Sequence, residues 1–144
     1  MDALSRRYHP ITGTPYQQDE TYREVAPCAA LAPYIRCFWG SDRPLPDRPG
    51  PGGIVIPDTC MDIIYDIDYA GNRISSSFCA LDESSCLTSA SSSTGGLSAT
   101  FGIRFHAWTA CLFVQDKLNR TANTVLPVAA LFPRPGPGAQ THAV

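Results

Sequence analysis

Val55-Ile56-Pro57-Asp58-Thr59-Cys60-Met61-Asp62-Ile63-Ile64-Tyr65-Asp66, near the middle of a 144-residue chain, reads as two β-strands hinged at one turn. Pro57 fixes φ and offers no ladder donor, so a strand over Ile54–Ile56 stops there. Asp58 and Thr59 supply turn-forming side chains. Beyond the turn Met61, Ile63, Tyr65 and Ile67 fall on one face at period two, and Asp62, Ile64, Asp66 and Asp68 on the other. The stretch is therefore expected to be hairpin-like, with one apolar and one acidic face.

Working outward, Ser41 to Gly53 carries four prolines and three glycines, which predicts a long surface loop without regular structure. Before it, Tyr34 to Trp39 reads as a strand with Ile35, Cys37 and Trp39 on one face. Tyr22 to Val25 is a short strand, and Pro27 heads a brief turn over Cys28-Ala29-Ala30-Leu31 that Pro33 ends. After the hairpin, Ala70-Gly71-Asn72 turns into a strand over Arg73–Ala80. Ser84 to Gly96 is a flexible connection or weak hairpin with Cys86-Leu87-Thr88 its only strand-like part.

Phe101, Ile103 and Phe105 alternate with Gly102, Arg104 and His106, predicting a central strand over Leu97–His106. Trp108, Cys111, Leu112, Gln115 and Leu118 then recur at helical spacing, which predicts about three helical turns with Thr109 as cap. Val125 to Phe132 adds a last turn headed by Pro127. The resulting division is a flexible arm over 1–18, a β-rich sensing domain over 19–132, and a disordered Pro/Gly-rich tail over 133–144. The fold class is mainly β (α+β), a twisted sandwich or small barrel with one late helix packed against it.

Hydrophobic residues make up 44% and charged residues 17%, which suits a packed soluble globule that pairs with itself. A net charge of −2 and a pI near 5.8, with no Lys/Arg cluster, argue against direct DNA binding. No apolar run approaches the roughly 20 residues a bilayer requires, and no apolar leader opens the chain, so a cytoplasmic protein without membrane contact is expected. Its six cysteines are then reduced, and none of their spacings is CxxC.

Catalytic residues, cofactors and metals are all expected to be absent. A cupin-type metal enzyme needs several converging histidines, whereas only His9, His106 and His142 are present, two of them near the ends. His106 reads as a strand-end surface residue. Cys60 is the best nucleophile candidate, but Asp58 and Asp62 beside it disfavour the thiolate, and a buried thiol is the simpler reading. A metal, metalloid or redox sensor joining Cys60 with Cys37, Cys79 or Cys111 remains open. Asp62 and Arg104 lie on the non-aromatic faces of their strands and are expected to form a bidentate pair if those strands meet. Arg104 has an alternative use in recognising an anionic ligand. Trp39, Trp108, Tyr34, Tyr65, Phe101 and Phe105 either fill a core or line an apolar cavity oriented by Asp58 or Arg104.

Three blocks carry a resemblance: Tyr22-Arg23-Glu24 with Leu31 to Trp39; Val55-Ile56-Pro57-Asp58-Thr59-Cys60-Met61-Asp62-Ile63-Ile64; and Phe101-Gly102-Ile103-Arg104-Phe105 with Ala107-Trp108. In order and spacing, over about residues 22–132, they resemble the N-terminal regulatory domain of AraC-type bacterial transcription regulators. The resemblance implies a cupin-like, ligand-sensing, dimerising domain that precedes two helix-turn-helix motifs. Pro133 to Val144 can form no such motif, so DNA contact is expected only through a part absent from this chain. A truncated regulator and a stand-alone domain both fit. The expected partners are a small-molecule effector and a second copy, with Asp58, Cys60, Asp62, Arg104, Trp39 and Trp108 as the candidate ligand-binding residues.

Overall fold

The computed structural model describes residues 22–41, 45–46, 54–87, 96–114, 118 and 121–131. The arm expected over 1–18 and the tail over 133–144 lie outside the described residues. The strands are β1 (Arg23–Val25), β2 (Ile35–Gly40), β3 (Leu45–Pro46), β4 (Ile54–Val55), β5 (Cys60–Asp68), β6 (Arg73–Cys79), β7 (Cys86–Leu87), β8 (Leu97–His106) and β9 (Val125–Pro127), followed by the short helix α1 (Val128–Leu131). The protein is mainly β, as the period-two patterns imply, and α1 forms directly after Pro127. The described residues form one antiparallel sheet in the order β1-β2-β8-β5-β6-β9, with β3 also on β8 and a separate ribbon β4-β7.

β5 and β8 form the middle of that sheet, paired from Cys60↔His106 to Asp68↔Ser98. Both are long because β-branched and aromatic residues alternate without an interior proline. The opening stretch departs from expectation here, since β4 pairs with β7 and not with β5. Pro57 ends β4 and Thr59 turns at φ 60°, so the chain leaves one pairing and enters another instead of folding back on itself. On the other side of β5 the expected turn is present. Asp68 Oδ1 accepts the Gly71 N–H at 2.8 Å, Arg73 Nη2 bonds Asp68 Oδ2 at 3.0 Å, and β6 runs back along β5.

Paired residues share a face, so the register assigns two. Ile35, Phe38, Met61, Ile63, Phe78 and Phe105 lie on the apolar face, where Ala110, Val114 and Leu131 cover them to make the core. Glu24, Cys37, Trp39, Asp62, Cys79 and Arg104 lie on the other. The expectation that Ile35 and Cys37 share a face fails because of a bulge. Ile35 pairs with Phe105 but Cys37 with Arg104, so one extra residue, Arg36, puts them on opposite sides.

Two further differences concern irregular segments. Leu45–Pro46, within the loop read as unstructured, pairs with Leu97 and Ser98, which an edge proline permits because it needs no N–H toward solvent. The three-turn helix over Trp108–Leu118 is instead a 3-10 turn at Ala110–Leu112, with residues 115–117 outside the described part. Thr109 gives its first turn no side-chain cap, because its hydroxyl bonds Tyr34 O at 2.6 Å and His106 O at 2.9 Å. That tie to the sheet competes with helix initiation.

Candidate functional site

Arg104 stands at the centre of the polar face, and the sheet register supplies its first partner. Asp62 is directly opposite on β5. Arg104 Nε donates to Asp62 Oδ1 at 3.0 Å and Nη2 to Oδ2 at 3.2 Å, the bidentate pair expected from the alternation. The remaining Nη1 meets Asp58 Oδ2 at 3.0 Å and approaches Glu24 Oε1 at 3.9 Å. One guanidinium thus faces three carboxylates, and its described donors toward this face are already engaged. Recognition of an anionic ligand by Arg104 would require displacing one of them.

Trp39 roofs this cluster. Its indole Nε1 donates to Asp62 Oδ1 at 2.9 Å, and the Arg104 guanidinium carbon lies 5.7 Å from its ring centroid, within cation–π range. Tyr22 stacks on Trp39 with centroids 5.5 Å apart and donates its hydroxyl to Glu24 Oε1 at 2.8 Å. The indole fits only because β8 carries Gly102 opposite Trp39: a Cβ at Gly102 would lie 2.1 Å from the ring. A glycine inside a strand marks close approach of this kind.

The electrostatics follow from burial. Asp62 is pushed above the usual carboxylate range by desolvation, against the opposing pull of Arg104 and the Trp39 N–H. Arg104 keeps its charge more firmly than an ordinary arginine because Asp62 and Asp58 outweigh the cost of its own burial. The Tyr22 phenol is raised by burial and by its bond to Glu24. Burial, with Glu24 adding to it, pushes the Cys37 thiol up to about 12.

Of the six candidate residues, Asp58, Asp62, Arg104 and Trp39 are brought into direct contact. Cys60 and Trp108 adjoin them through His106, which pairs with Cys60 and stacks on Trp108 at 4.7 Å. Cys60 is buried, as the simpler reading of it holds. His106, expected at the surface, is only 5% exposed, because β8 runs its full length before turning and packs its last residue under Trp108. The aromatic residues do not share one cavity. The sheet separates Trp39 from Tyr65 and Phe105, while Tyr34 meets Phe113 edge-on. A shallow hollow of about 140 Å³ at the β1-β2 edge, lined by Val25, Phe38, Trp39 and Phe101 with Arg23 and Ser41, brings together two of the six aromatic residues and is small beside ordinary ligand sites.

The register also bears on the cysteines. Cys37, Cys60 and Cys79 lie on β2, β5 and β6, with β8 between the first two. Among the described residues no group of three His, Cys, Asp or Glu side chains gathers to hold a metal. Thiol labelling checks this arrangement. Exposed Cys28 and Cys111 should be labelled readily in the native protein near pH 8, whereas Cys37 should be labelled far more slowly, because it is buried and little of its thiol is ionised. Rapid native labelling of Cys37, mapped by mass spectrometry, would contradict its burial.

Glu24, Tyr22 and Gly102 were not singled out in the sequence, although all three stand inside the quoted blocks. Comparison with protein families gives one match, a domain of unknown function (DUF6597), over residues 23–127. The chain belongs to that family. The matched span begins at β1 and ends at β9, so it holds the whole main sheet and every candidate residue of the polar face. No curated protein and no solved structure matches the chain. Among the described residues no helix is long and apolar enough to cross a membrane.

Proposed function

We propose that this chain is the effector-sensing and dimerising part of an AraC-type transcription regulator, acting in the cytoplasm and reaching DNA only through a separate helix-turn-helix part. The observation that carries the reading is the joining of two of the resembling blocks. The Pro57–Met61 turn and the Gly102–Phe105 strand are locked together by Asp58, Asp62 and Arg104. Residues that resemble a regulator's sensing domain thereby build one polar, aromatic-edged face, half-shielded from water.

That face offers carboxylate oxygens and indole and phenol rings. It suits a small polar effector that donates hydrogen bonds and stacks, and binding would favour one arrangement of the domain over another. Asp58, Cys60, Asp62, Arg104, Trp39 and Trp108 are the residues to contact or frame it. A thermal-shift screen of small polar metabolites, combined with sedimentation of the same protein, tests this. A ligand present at a hundredfold its Kd should stabilise the fold by about 2.7 kcal/mol. That shift should vanish in D58N, and the protein should sediment as a dimer. A strictly monomeric protein, or a ligand whose effect is untouched by D58N, would count against the reading.

A further inference from the structure

Thr59 adopts φ 60°, a left-handed conformation that is a genuine outlier for a β-branched residue. Nothing in its own side chain requires this, since its hydroxyl bonds only the adjacent Asp58 carbonyl oxygen at 2.6 Å. The conformation persists because Asp58 is held from two sides. Its Oδ1 accepts the Cys60 N–H at 3.0 Å, and its Oδ2 meets Arg104 Nη1 at 3.0 Å. Strained backbone survives where surrounding contacts over-determine it, and such places are commonly switching elements.

The position of this turn gives the strain a use. It joins the β4-β7 ribbon, which among the described residues shares no ladder with the main sheet, to the first residue of β5. Releasing Asp58 would free Ile56 to Thr59 without breaking any pairing of β5 or of the ribbon, because Val55↔Cys86 ends before the turn and Cys60↔His106 begins beyond it. Arg104 Nη1 also has Glu24 Oε1 at 3.9 Å as a second acceptor, so Asp58 can leave without stranding the guanidinium.

We infer that the Pro57–Cys60 turn is a spring-loaded latch, closed by the Asp58–Arg104 ion pair and opened by relaxation of Thr59, which couples the ribbon to the polar face of the sheet. The inference stands on the turn geometry and does not need the sensing proposal.

Amide hydrogen exchange of the whole chain tests it, because the Cys60 N–H is bonded directly to the latch carboxylate. Ile63, paired on both sides in mid-strand, serves as the reference for opening of the sheet. In the wild-type protein Cys60 should exchange faster than Ile63. T59G accepts the left-handed turn without the Cβ penalty and should slow Cys60 exchange about tenfold. D58N keeps the shape of the side chain but loses the ion pair, and should speed Cys60 exchange about tenfold relative to Ile63. Equal rates for Cys60 and Ile63 in all three proteins would show that the turn opens only with the fold and would overturn the latch. So would an unchanged Cys60 rate in T59G, or an unchanged Cys60-to-Ile63 ratio in D58N.

Discussion

Arg104→Met should lower the stability of the fold by about 3–5 kcal/mol near neutral pH, the usual cost of removing one partner from a buried ion pair. The side chains of Arg104 and Asp62 are 21% and 14% exposed, so little solvent is available to rescue the abandoned carboxylate. Asp58 and Glu24 also lose their shared cation, and three carboxylates are left crowded on one face. Methionine matches much of the arginine stem, so the loss should come from charge more than from volume. Urea unfolding with unchanged m and a lower midpoint is the expected signature. A loss below about 1 kcal/mol would show the pair to behave as an ordinary surface contact.

The same variant carries a pH signature whose sign is fixed by Asp62. Burial already raises this group in the folded protein, and removing Arg104 and its hydrogen bonds can only raise it further. A folded-state value above the unfolded one means that the native protein binds more protons in the interval between them. Stability therefore falls as pH rises through that interval and is recovered below it. R104M should regain part of its lost stability on mild acidification. Pairing it with D62L, which removes the orphaned charge, should recover most of the loss at neutral pH, since an apolar pair often replaces a buried ion pair without cost. A double variant as unstable as R104M alone would place the damage elsewhere.

The Asp62–Arg104 pair was legible in the sequence because two long strands with strict alternation leave each side chain only one face, and because β5 and β8 happen to be neighbours. The remaining partners depend on events without a local signal. Asp58 reaches Arg104 through a turn whose residue Thr59 has no sequence preference for a positive φ. Glu24 arrives on β1, a three-residue strand placed by its pairing with β2. Cys37 joins the polar face through a bulge at Arg36, and a one-residue shift exchanges the faces of everything beyond it. The helical spacing after His106 was real, but Cys111 and Leu112 serve only a 3-10 turn pinned to the sheet by Thr109. Tertiary contacts there outweigh a periodicity too short to stand alone.

Gly102→Ala is the sharper probe of how the polar face is built, because it adds one methyl group and removes no charge. The new Cβ would lie 2.1 Å from Trp39 Cε2 and 2.3 Å from its Nε1, far inside van der Waals contact. Gly102 needs no left-handed backbone, so the conflict is entirely with the indole. The ring must swing away, forfeiting its 2.9 Å bond to Asp62 and its stack on Tyr22. Overpacking of this kind costs about 1–3 kcal/mol. Leaving the buried Asp62 oxygen one donor short adds about 1–3 kcal/mol. A combined loss of about 3–4 kcal/mol is expected, with altered near-ultraviolet circular dichroism from the displaced indole. Trp39→Ala should remove the conflict, so the loss in the W39A/G102A double variant should fall short of the sum of the single losses by at least about 1 kcal/mol. Strict additivity would mean that the methyl group is accommodated without moving Trp39. The tight contact between Gly102 and the indole would then not be what positions the Trp39 bond to Asp62.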